Sequence, residues 1–138
     1  MKKLLVDTNI VLDLLAKREP YYTASASLFS LADKRQIKLS VSSLTFANTN
    51  YTLLKAKSPN EVKSILRKLK LIVQVLPLDD KVIGRALNDD EFADFEDGLQ
   101  YFSAIENNQD IIITRNLKDF KKAKIPVMSA AEYLQTIE

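Results

Sequence analysis

Four aspartates draw attention through their neighbours: Asp7, Asp94, Asp97 and Asp119. Asp7 directly follows the apolar run Leu4-Leu5-Val6. Asp94 and Asp97 are three apart, which places both on one side of a first helical turn. Asp119 comes shortly after Ile111-Ile112-Ile113, with Asn116 between them. The chain has no histidine and no cysteine. That removes the usual zinc ligands, the usual general base, cysteine nucleophiles and the Ser-His-Asp triad. Carboxylates crowded together without histidine require a cation to neutralise them. An all-oxygen donor set selects Mg²⁺ or Mn²⁺ over zinc. Taken singly, each acid also has a plain structural reading. Asp7 suits a helix N-cap, Asp94 and Asp97 suit a shortened capping box, and Asn116 and Asp119 suit a turn.

The elements that must position these residues alternate between strand and helix. Leu4–Val6, Lys38–Val41, Ile72–Leu76, Ile111–Ile113 and Pro126–Met128 read as strands, the fourth most strongly because it is wholly β-branched. Between them lie helical patterns: Ile10–Leu15, Tyr22–Lys34, Ser43–Lys55, a helix from Ser58 or Asn60 to Lys70, Asp79–Asn88, and a helix capped by Asp94 through Ile105. Ser42-Ser43 is expected to cap the third of these, and Ser129 caps a last helix. The expected fold is α/β, three layers deep, with a central, mainly parallel five-stranded sheet. Sites in such sheets lie outside the carboxyl ends of the strands. Asp7, the Asp94–Asp97 turn and the Asn116–Asp119 segment therefore converge on one edge.

Composition agrees with a single domain spanning 1–138. The chain is 46% hydrophobic and 28% charged, with net charge +2. Residues 1–70 hold 13 basic against 5 acidic residues, a balance of +8, and residues 71–138 hold 7 against 13, a balance of −6. The acids crowd between Asp79 and Asp97, opposed there only by Lys81 and Arg85. Lys2-Lys3 precedes too short an apolar run for an export signal, so the expectation is a cytoplasmic protein without a membrane span. Gly84 and Gly98 sit in no phosphate loop, which excludes the dinucleotide fingerprint and the Walker A motif.

Four segments carry a family resemblance. Val6–Asp13, Ser43–Asn48, Asp94–Gln100 and Ile113–Phe120 resemble, in order and spacing, the motifs of PIN domains, the ribonuclease fold of VapC-type toxins. The resemblance implies an acidic Mg²⁺ or Mn²⁺ site and hydrolysis of RNA phosphodiesters. It implies that Asp7, Asp94 and Asp97 are catalytic and that these three and Asp119 hold the metal. Thr8, Asn9, Asn48, Thr114 and Asn116 would orient them; helical spacing, independently of the resemblance, sets Glu96 between Asp94 and Asp97 and off the site. Arg115, Lys118 and Lys121, with Lys122 and Lys124 beside them, would contact RNA phosphates. The sequence departs from the family at Asn48, where toxin-type members usually carry glutamate, and at Asn116, a place often held by aspartate. The alternative is a PIN-like module that binds RNA or protein without cutting. A receiver-type phosphoacceptor domain fits poorly, because Asp7 stands without a second acid beside it. The family also implies an antitoxin partner and a homodimer. Tyr51, Leu54 and the Val62–Leu69 stripe offer apolar surface for the dimer.

Overall fold

Every apolar run read as a strand forms one. In a computed structural model, which describes residues 1–137, the strands are β1 (Lys3–Val6), β2 (Lys38–Ser42), β3 (Val73–Leu76), β4 (Ile111–Ile113) and β5 (Val127–Met128). They lie in the order β3-β2-β1-β4-β5, and each neighbouring pair is parallel. The first strand is thus central, with Val6 opposite Ile113.

Alternation of side chains divides the core into two layers. Leu4, Val6, Leu39, Val41, Ile111 and Ile113 face one side. There they meet α1 (Thr8–Leu15), α2 (Tyr22–Asp33), α4 (Pro59–Ile72) and α7 (Ala130–Thr136) through Ile10, Leu28, Leu69 and Tyr133. Leu5 and Ile112 face the other side, under α5 (Asp80–Asn88) and α6 (Phe95–Glu106). On that side Phe92 stacks on Tyr101 and meets Phe102 and Phe120. α3 (Ser43–Leu53) joins α1 and α4 through a small cluster of Leu12, Leu53 and Val62.

The structure departs from the sequence reading in three places. Ile72 ends α4 instead of starting β3, because the helix runs into the strand without a loop and the Val73 N–H still bonds the Leu69 carbonyl. Ser42 occupies the N-cap of α3 but its side chain makes no capping bond, while the Ser43 hydroxyl donates 2.7 Å to the Leu76 carbonyl and ties the helix start to the end of β3. The Val62–Leu69 stripe is not spare surface. Val62 and Leu69 are buried in the molecule's own core, and Ile65 and Leu66 pack against it. Tyr51 and Leu54 do remain exposed. Ser58 is the N-cap of α4, where Ser58 and Glu61 form a reciprocal capping box. Among the described residues no helix is long and apolar enough to cross a membrane.

Candidate active site

β1 and β4 are neighbours, so the segments that leave their carboxyl ends open side by side. Asp7 leaves β1 and caps α1. Its Oδ1 accepts the Thr8 N–H at 2.8 Å and its Oδ2 accepts the Thr114 hydroxyl at 2.9 Å. Asp7 is only 9% exposed. Burial pushes its carboxyl above the ordinary value of 3.8, and the bonds from Thr114 and Thr8 partly offset that. Thr114 in turn accepts the Asn116 N–H at 3.0 Å, which shapes the turn that delivers Asn116 and Asp119.

The second contribution comes from the start of α6. Asp94 is its N-cap and accepts the Asp97 N–H at 3.1 Å. The capping role and the placement in the acidic pocket coexist. Asp97 is half-buried, and its carboxyl is pushed up to about 6 by burial first and then by the negative charges of Asp94, Asp119, Asp7 and Glu96.

These groups line one open pocket of about 290 Å³. Asp7, Asp94, Glu96, Asp97 and Asp119 supply carboxylates, while Thr8, Asn9, Asn48, Gln100 and Asn116 supply neutral polar groups. No lysine or arginine is part of the lining. Glu96 therefore does not point away from the pocket as the sequence reading held. It sits in the first turn of α6, where its long side chain reaches across to accept 3.3 Å from the Asn48 amide on α3.

Gln100 was missed, although it lies one turn beyond Asp97 and so shares its face. It is buried, and its amide N–H donates 3.3 Å to the Thr45 hydroxyl, which lies 3.0 Å from that of Thr8. Its Oε1 has no partner among the described residues. A polar residue between Leu99 and the aromatic pair Tyr101-Phe102 was the available signal.

The basic residues read as phosphate contacts lie elsewhere. Arg115 turns away from the acids into a two-pronged ion pair with the buried Asp13, at 2.9 and 3.1 Å. Lys118 and Lys121 are exposed on and just beyond a short 3-10 turn, Leu117–Phe120, outside the pocket lining. Lys122 and Lys124 are exposed too, and the Lys124 backbone N–H donates to the Tyr101 hydroxyl.

The donors fit a hard divalent cation. All are oxygens, their charge is one-signed, and Gln100 leaves an acceptor open. Among the described residues no three carboxylates close as a ready-made cage. Mg²⁺ tolerates this, since it keeps several waters and takes one or two carboxylates. Asn48→Glu tests the departure at the second motif. A carboxylate there would face Glu96 without the present amide bond. The expected result is a lower melting temperature without metal and a larger rise on adding Mn²⁺, read by thermal denaturation.

Residues 3–118 match the family described as the PIN domain. The chain belongs to the PIN domain family. As a PIN domain it is 26% identical to Ribonuclease VapC1 of Aquifex aeolicus (strain VF5) over 140 residues, spanning 97% of this chain and 94% of that protein. Its fold is also that of FitAcB from Neisseria gonorrhoeae, with a TM-score of 0.70 at 15% identity over 93% of this chain and 98% of the other. A toxin-antitoxin complex from Klebsiella pneumoniae is similar too, with a TM-score of 0.69 at 21% identity over 92% and 97% of the two chains. The PIN fold thus accounts for the sheet order and for the shared edge on which the acids stand.

Proposed function

We propose that this PIN domain is a metal-dependent endoribonuclease that hydrolyses RNA phosphodiester bonds. The observation that carries the reading is the pocket lined by five carboxylates with no basic residue, at the junction of β1 and β4. Asp7 and Asp97 would hold a Mg²⁺ or Mn²⁺, with Asp94 and Asp119 in support. When bound, the cation would act as a Lewis acid toward the phosphate and lower the pKa of a bound water. Thr114 and the Thr8 N–H fix the Asp7 carboxylate, so its orientation costs nothing at the moment of reaction. Gln100 lines the same pocket and keeps a buried, unpartnered Oε1. Lys118 and Lys121, exposed on the segment after β4 and outside the pocket lining, would draw in the RNA backbone by charge at longer range.

Likeness to a ribonuclease and to a toxin-antitoxin complex supports a toxin role with an antitoxin partner. A homodimer would use Tyr51 and Leu54, the apolar residues left exposed at the end of α3. The competing reading, binding without cleavage, is favoured by one observation: Asn48 brings an amide where toxin-type members usually carry glutamate. Incubation of single-stranded RNA with Mn²⁺, Mg²⁺ or EDTA separates the two. Cleavage with the metals and none with EDTA is expected, together with a Mn²⁺-dependent rise in melting temperature. Intact RNA under every condition overturns the enzymatic reading.

A further inference from the structure

Glu96 is the acid whose placement its helix does not dictate. It is the second residue of α6, one step round from Asp97, and it is exposed, so its long side chain could lie in water. Asp7, Asp94, Asp97 and Asp119 already line the pocket, and like charges favour that outward course. Glu96 nevertheless lines the pocket with them, and no lysine or arginine of the lining draws it in.

What holds it there is neutral. Its Oε1 accepts the Asn48 amide N–H at 3.3 Å, from a different helix, α3. No other bond is made by either side chain among the described residues, so the second Glu96 oxygen keeps its full capacity as an acceptor. An exposed neutral bond of this length offsets little of the repulsion from four carboxylates. A divalent cation reverses the balance, because it attracts all five acids at once. Gln100 points the same way. It is 3% exposed, lines the same pocket, and has an Oε1 without a partner among the described residues.

We propose that Glu96 helps hold the divalent cation of this pocket, and that Asn48 is the residue that positions it. The inference rests on the metal-dependent reading and adds a residue to the group that serves the metal. Among the described residues no three carboxylates close as a cage, so Glu96 acts through the waters that Mg²⁺ or Mn²⁺ keeps. The carboxylate that the second motif lacks at Asn48 is thereby supplied from α6, across the bond that joins the two side chains.

Mn²⁺ binding to the metal-free protein, measured by calorimetry and electron paramagnetic resonance, tests this without RNA. Glu96→Gln should weaken binding by about tenfold, the lower end of what outer partners of a metal contribute, with an unchanged circular dichroism spectrum. Glu91→Gln removes an exposed acid outside the pocket lining and should leave the affinity as it was. Asn48→Ala should give a smaller loss, and none in a protein that already carries Glu96→Gln. Asn48→Asp combined with Glu96→Gln exchanges carboxylate and amide without changing either length, and should recover most of the loss. Wild-type affinity in Glu96→Gln, with binding lost in Asp97→Asn, overturns the role of Glu96 and leaves the metal site standing. Equal losses in Glu96→Gln and Glu91→Gln reduce the effect to net charge and overturn it too. A loss that the exchange does not recover overturns the part given to Asn48. A wild-type protein that binds no Mn²⁺ overturns the inference together with the metal-dependent reading.

Discussion

Asp7→Asn and Asp97→Asn should each lower RNA cleavage by on the order of 100-fold or more, since even the outer partners of a metal site cost about 10–100-fold when removed. The fold should survive both changes. Asp97 is raised to about 6 because burial first, and then the neighbouring carboxylates, oppose its charge, and the neutral amide escapes that opposition. Without metal, the Asp97→Asn melting temperature should therefore equal or exceed that of the wild type at pH 7. The pH dependence follows from the sign of the shift. Between the ordinary value of 3.8 and about 6, the native state keeps a proton that the unfolded chain has released. Wild-type stability should thus fall as pH rises through that window and level off above it, and Asp97→Asn should show a shallower fall. Cleavage and Mn²⁺ binding should run the other way, gaining strength as the pH climbs past 6 and the carboxylate ionises. Asp7→Asn gives up an acceptor for the Thr114 hydroxyl or the Thr8 N–H, so its gain should be smaller. Circular dichroism, thermal denaturation and a timed cleavage assay read all of these. Marked unfolding of Asp97→Asn without metal would show that this acid is structural.

Arg115→Ala should destabilise the protein by about 3 kcal/mol, because it strands the buried Asp13 carboxylate without its counter-charge. Tyr21 would lose the guanidinium stacked on its ring at the same time. Asp13→Ala should cost a similar amount by leaving the cation half-buried. The double change Asp13→Leu with Arg115→Met should recover much of the loss, since a buried ion pair is worth little more than well-packed apolar side chains. Urea denaturation of the four proteins closes the cycle. If Arg115→Ala unfolds at the wild-type midpoint, the pair is not a structural tie between α1 and the segment after β4.

The strand reading was strongest where parallel strands covered on both faces are apolar throughout, as Leu4-Leu5-Val6 and Ile111-Ile112-Ile113 are, although β2 buries Ser40 and Ser42 as well. Parallel pairing followed from the strand-helix alternation, and the rule that sites lie at the carboxyl ends gave the edge that gathers Asp7, Asp94, Asp97 and Asp119, whereas the strand order came from the structure. Contacts between distant segments were not legible. Nothing local marks Asp13 as the partner of Arg115, since both look like solvated charges on amphipathic stretches. Glu96 was assigned by helical spacing alone, which fails in the first turn of a helix, where a long side chain can swing toward a donor such as Asn48 on another element. The Val62–Leu69 stripe shows the reverse error. Periodicity reports that a face is apolar but not whether the partner is the same molecule or a second one.

Asp7 and Thr114 are 107 positions apart in the chain, yet one hydrogen bond joins them, and Val6 cannot pair with Ile113 until both exist. During synthesis the N-terminal portion emerges first, so α1 to α4 can gather around β1 and β2 while the place of β4 beside β1 is still empty. The pocket is complete only when the residues through Asp119 are free of the ribosome. On the proposed ribonuclease reading, that delay would keep the growing chain inert among the RNA that surrounds it while it is being made.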